Sequence, residues 1–197
     1  MNKKVMIFLA EGFEEIEAIT PVDYLRRAGI EVTTVSTGGN LTVNGAHDIP
    51  VIADATLPDL LANKKLSVSG WDGIICPGGS PGADNLAASK EAGNFLMEMA
   101  KAGKWVFAIC AAPARVLSPL GILSGKKFTC FPGEEAKVLA GDSKSPGAQW
   151  KTDRVVIDGN ILTSRGAGTA ADFAFAIIGK LVSEEEAKKL AEKVLFR

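Results

Sequence analysis

Apolar residues along the chain fall into short unbroken runs, separated by stretches in which they recur every three or four positions. The runs at 4–10, 30–36, 72–76 and 105–109 have the length and β-branched content of buried strands. Helical spacing fills 14–28, ahead of Gly29, and 84–102, ahead of Gly103, each glycine a suitable C-cap. A short helix is expected at 57–63, and others at 112–120, 134–140, 169–181 and 184–195. Ser183 and Glu186 form a capping box at the start of the last one. A short strand is expected at 128–130, and strands at 154–158 and 161–163 flank the turn Gly159-Asn160. Glycine, asparagine and short alternating pieces between 38 and 53 predict a hairpin-like excursion. Alternation of continuous apolar strands with helices predicts an α/β sandwich around a mostly parallel sheet, as one domain over 1–197.

Composition narrows the functional classes. The 197 residues are 47% hydrophobic, and 22 basic residues face 23 acidic ones for a net charge of −1. That balance offers no electrostatic attraction for nucleic acid or an anionic membrane. No run approaches the ~18 apolar residues of a membrane span. Cys76, Cys110 and Cys130 are an odd number without paired spacing, so neither a disulfide framework nor a zinc site is expected. A reducing cytoplasm is the simplest setting.

In open parallel sheets, ligands bind beyond the carboxyl ends of the strands. Gly12, Gly78, Gly79 and Cys110 all follow predicted strand ends and should meet at one edge. Cys110, in WVFAICAAPARVL, stands where a strand turns into a helix. Unpaired N–H groups and the helix dipole there favour a thiolate and a lowered thiol pKa. A small buried hydrophobe occupies such a place equally well, so location alone leaves packing and chemistry open. Pro77-Gly78-Gly79 could bring backbone N–H groups to an oxyanion or form an ordinary turn. Glu11, Glu14, Glu15 and Glu17 cluster after the first strand, and spacing does not say which points inward. The one histidine, His47, falls in a predicted polar loop, where a surface role is the ordinary expectation.

The segments EGFEEIEA, PVDYLRRAGIEVT, PGGSPGADNL, AICAAPARVL and LTSRGAGTAADFAFAII occur in an order that resembles the ThiJ/PfpI superfamily, in its DJ-one branch, over nearly the whole length. The resemblance implies a flavodoxin-like α/β sandwich, with a mostly parallel central sheet flanked by helices, and a homodimer. It matches Cys110 to an oxidation-prone nucleophile and Glu17 to the carboxylic acid that hydrogen-bonds its sulfur. Gly79 and Ala111 match the N–H groups of an oxyanion pocket. Glu14, Arg27, His47 and Arg165 match polar positions around the pocket, Arg27 reaching it from the partner subunit. His47 replaces a family arginine, Phe131 replaces a histidine near the cysteine, and Ala111 stands where protease-type relatives have histidine. A dyad of the usual type and peptidase activity are therefore not expected.

Two functions follow from the resemblance. One is a glyoxalase or deglycase that acts on methylglyoxal-type 2-oxoaldehydes through Cys110, without metal, glutathione or other cofactor. The other is a redox-sensing stress protein or chaperone governed by oxidation of Cys110.

Overall fold

A computed structural model describes residues 3–141 and 143–196. The first half of the chain contains β1 (Lys4–Leu9), α1 (Glu15–Arg27), β2 (Glu31–Ser36), β3 (Thr42–Asn44), β4 (Pro50–Ile52), β5 (Ala55–Thr56), α2 (Leu57–Ala62) and β6 (Gly73–Cys76). Then come α3 (Ser80–Ala88), α4 (Lys90–Lys101), β7 (Trp105–Ile109), β8 (Lys127–Phe128), α5 (Glu135–Leu139) and β9 (Gln149–Trp150). The chain closes with β10 (Val155–Asp158), β11 (Ile161–Ser164), α6 (Ala170–Leu181) and α7 (Glu184–Lys193).

Seven strands form one sheet in the order β10-β11-β7-β6-β1-β2-β5. All neighbours run parallel except the edge pair β10 and β11. The α/β sandwich read from the sequence is therefore present. Its central strands β1, β6 and β7 are largely apolar because both sheet faces are covered. Along β1, Met6 and Phe8 enter the core shared with α3 and α4, while Val5, Ile7 and Leu9 enter the core shared with α1, α6 and α7. The sheet centre, β6-β1 with β7 beside them, is where the loops bearing Gly79, Glu17 and Cys110 begin.

Several boundaries differ from the sequence reading. The helix expected at 84–102 is two helices, α3 and α4, divided at Ser89, whose hydroxyl accepts the Ala92 N–H at 3.3 Å as an N-cap. The helix expected at 112–120 is a π-type turn over Pro113–Leu117, with the Ser118 N–H donating to the Pro113 carbonyl at 3.0 Å, followed by turns. Pro119 has no N–H with which to extend the ladder. The excursion at 38–53 is the antiparallel pair β3 and β4, outside the main sheet.

Candidate active site

Cys110 follows the last residue of β7 and takes the left-handed backbone conformation, φ 64°. A non-glycine residue there is strained, and its surroundings hold it. Its N–H donates to the Ser164 carbonyl at 3.1 Å, and its carbonyl accepts from the Phe131 N–H at 2.8 Å. The sharp turn sends the side chain out of the sheet. Cys110 is half-buried, whereas Cys76 and Cys130 are buried, and all three are free thiols.

The loop after β6 reaches the same point from the neighbouring strand. A Cβ on Gly78 would lie 2.6 Å from both Cys110 Cβ and Glu17 Oε2, and 3.1 Å from Cys110 Sγ. Only glycine permits that approach. Gly79, at φ 87°, would crowd the Gly12 carbonyl and come within 2.7 Å of the Glu14 nitrogen if it had a side chain. The Gly79 and Ala111 N–H groups favour the anion of the Cys110 sulfur.

Glu17, in the first turn of α1, is fully buried. Its Oε2 accepts the Gly78 N–H at 2.9 Å, and its Oε1 has no conventional hydrogen-bond partner. Burial pushes the carboxyl up to about 7, assisted by the nearby charge of Glu14 and opposed by a hydrogen bond with Cys110. The thiol, by contrast with the lowered pKa expected from its helix-terminal place, is pushed up to about 12. Burial is the main cause, and the charge of Glu17 adds to it. A cysteine anion beside ionised Glu17 is thus disfavoured. With the proton on Glu17 the repulsion vanishes, and the carboxyl becomes a donor to sulfur. The protonation state of each group thus influences that of the other.

The remaining expected residues take different places. Glu14 caps α1, its Oε2 accepting the Glu17 N–H at 2.7 Å, and so orients the first turn. His47 is on the β3–β4 excursion, and its ring is largely exposed. Its backbone N–H and Nδ1 meet Glu15 at 2.7 and 2.8 Å. That contact raises the His47 pKa and, against the effect of burial, lowers that of Glu15. Arg165 follows Ser164, and its Nη1 donates to the Thr152 carbonyl at 2.9 Å. Arg27 is not brought to the pocket of its own chain; it is exposed on α1 and pairs with Asp23 at 2.7 Å. Among the described residues, one group, Glu14, Glu15 and His47, has three donor atoms within 4.8 Å of one another, and the His47–Glu15 ion pair accounts for that closeness.

Phe131, which is 51% exposed, stands at the rim. A Cβ on Gly166 would lie 3.5 Å from its ring and 3.9 Å from Glu17 Oε1, so the ring and the carboxyl flank the same glycine. Glu15, the buried anchor of His47, had no distinguishing signal in its spacing. Arg115, which joins the loops around the sulfur, had none either.

Comparison with known proteins identifies the family. The model of the DJ-1/PfpI family matches residues 3–180. The chain is 36% identical over 192 residues to Protein DJ-1 homolog B of Arabidopsis thaliana, covering 98% of this chain but only 41% of that longer protein. It is 34% identical over 190 residues to the glutathione-independent glyoxalase DJR-1.2 of Caenorhabditis elegans, covering 96% of this chain and 94% of the relative. The solved structure of oxidized Toxoplasma gondii DJ-1 superposes with a TM-score of 0.88 at 33% identity, covering 98% of each chain. Sequence, topology and these likenesses agree: the chain belongs to the DJ-1/PfpI family.

Proposed function

We propose that this protein is a cofactor-independent glyoxalase that converts methylglyoxal-type 2-oxoaldehydes to 2-hydroxy acids. The observation that carries the reading is the fully buried Glu17 carboxyl interacting with the Cys110 thiol, with the Gly79 and Ala111 N–H groups aimed at the same sulfur. The likeness to the glutathione-independent glyoxalase DJR-1.2 of the nematode supports it.

Cys110 reacts as thiolate while Glu17 is neutral. Sulfur attacks the aldehyde carbon, and the carbonyl oxygen takes up a proton from Glu17 to give a hemithioacetal. The Gly79 and Ala111 N–H groups stabilise negative charge on that oxygen. Glu17, now a carboxylate, removes the hydrogen from the former aldehyde carbon and delivers it to the ketone oxygen, and an enediol forms. Glu17 then takes the proton from the hydroxyl of the sulfur-bearing carbon and delivers it to the neighbouring carbon, which gives a 2-hydroxy thioester. Water cleaves the carbon–sulfur bond, releasing lactate from methylglyoxal and restoring the thiol. Oxidation at one carbon balances reduction at the next, so Cys110, Glu17 and water account for every proton and electron. Early glycation adducts are cleared as they release free 2-oxoaldehyde, which gives a deglycase activity in stress protection. A reducing compartment such as the cytoplasm would suit this thiol chemistry.

Lactate formation from methylglyoxal, measured for wild type and Cys110→Ala, tests the reading. Turnover lost in the variant supports it. Wild type no faster than Cys110→Ala overturns it.

A second reading rests on the accessibility of Cys110, the one half-buried thiol of the three, and on the oxidized state named for the Toxoplasma structure. Here a peroxide oxidises the Cys110 thiolate to sulfenic acid, releasing hydroxide, and a neutral Glu17 hydrogen-bonds the oxidised sulfur. Oxidation-dependent chaperone activity without lactate formation is its signature.

A further inference from the structure

Arg115 lies one turn beyond Cys110, with 17% of its side chain exposed. Its guanidinium reaches two other segments. Nη1 donates to the Ser80 carbonyl at 3.2 Å, to Ser80 Oγ at 2.9 Å and to Asp84 Oδ2 at 2.9 Å. Nε and Nη2 fork onto the Glu134 carboxylate at 3.0 and 2.7 Å. Its own backbone N–H donates to the Ala111 carbonyl at 2.9 Å. One residue thus ties Ser80, the neighbour of Gly79, and Glu134, in the loop that begins at Phe131, to the turn after Cys110. The N–H groups of Gly79 and Ala111, next to two of these points, favour the sulfur anion, and Phe131 is the rim ring.

We propose that Arg115 is a positioning residue that clamps Ser80 and the 131–134 loop onto the Cys110 turn, and so keeps the N–H groups of the adjoining Gly79 and of Ala111 aimed at sulfur. The geometry requires such a device. Gly79 and Cys110 both hold left-handed backbone conformations, φ 87° and 64°, which packing must maintain. Glu134 is 14% exposed, so its pair with Arg115 is shielded from the solvent screening that weakens surface pairs. Hydrogen bonds from Arg115, with help from Lys137, hold the Glu134 carboxyl down at about 2. The clamp is therefore closed at every pH at which thiol chemistry runs. Arg115 does not act on substrate, and its effect on turnover rests on the glyoxalase reading, whereas its effect on the sulfur does not.

The test uses the full chain and reads the sulfur directly. Alkylation of Cys110 by iodoacetamide is followed across pH by peptide mapping, for wild type, Arg115→Met, Arg115→Lys and Glu134→Gln, with circular dichroism reporting the fold. In Arg115→Met the alkylation profile should move to higher pH, and the rate at pH 7 should fall about tenfold, the change expected for one pKa unit. Lysine, which cannot fork, should restore only part of the rate. Where wild type turns over methylglyoxal, kcat should fall and KM stay near its original value. A folded Arg115→Met variant whose profile superimposes on wild type overturns the clamp, whatever happens to turnover. If Arg115→Met does not fold, Glu134→Gln decides by the same comparison: a shifted profile supports the clamp and an unshifted one overturns it. Absence of lactate from wild type would remove the glyoxalase reading and leave this test intact.

Discussion

A carboxyl group without solvent around it is cheaper to keep neutral than charged, and Glu17 is in that position. Its folded pKa, about 7, exceeds its ordinary 4.5, so between these values the native state binds more protons than the unfolded chain. Stability is therefore greatest below the lower value and falls as pH rises toward the upper one, by at most ~1.4 kcal/mol per pH unit. Melting temperatures from pH 4.5 to 8 should show this decline in wild type and a flatter course in Glu17→Gln. The same substitution keeps a donor to sulfur but removes the transferable proton. Cys110 alkylation should be largely preserved, while 2-oxoaldehyde turnover falls by roughly 10²–10⁴-fold. His47→Ala should keep most activity, since the ring is largely exposed and engaged by Glu15. Loss of turnover in His47→Ala but not in Glu17→Gln would reverse these roles. Spacing never separated Glu17 from its three acidic neighbours; only the family resemblance did. Cys110 was legible because a buried strand ends on it. Its raised pKa was not, because burial and an inward carboxylate are tertiary facts.

Among elements, those with four or more core positions were readable from the sequence. β1, β2, β6 and β7 show as apolar runs, and α1 and α6 show as helical periods. The two-residue strands β5 and β9 have no period to detect, and β8 overlaps the strand expected at 128–130 only at Phe128. The break between α3 and α4 was hidden because apolar spacing continues through Ser89. Arg115 was silent because its partners, at 80, 84 and 134, meet only after folding. The loop between β6 and α3 has the strictest geometric demand. Gly79→Ala should destabilise by more than ~1 kcal/mol in denaturant unfolding, since alanine disfavours φ 87° and its methyl would meet the Gly12 and Glu14 backbone. A variant as stable and as readily alkylated as wild type would contradict this account of the loop.

On the scale of the whole molecule, the outer face of α1 is left uncovered. Ile16 and Ile19 are 53% and 40% exposed there, on the helix that ends in Arg27. A homodimer that buries this face and presents Arg27 to the partner's pocket is the assembly we expect. Light scattering at micromolar concentration should give about twice the 20.6 kDa chain mass, and a monomer alone would count against it. Among the described residues, no helix is long and apolar enough to cross a membrane. The sheet order could be anticipated only in class, because which strands become neighbours depends on how the helices divide between two faces.

The antiparallel pair β3–β4 lies outside the seven-stranded sheet and carries His47, whereas Cys110 and Glu17 are fastened to its centre. Local opening should therefore occur in separate steps. Amide hydrogens of the 42–52 excursion should exchange with solvent well before those of β1, β6 and β7. Fluctuations of this kind would carry His47 away while the thiol, the carboxyl and the Gly78 loop stay assembled. On the glyoxalase reading, the geometry in which sulfur reacts would then be insulated from motion in the excursion.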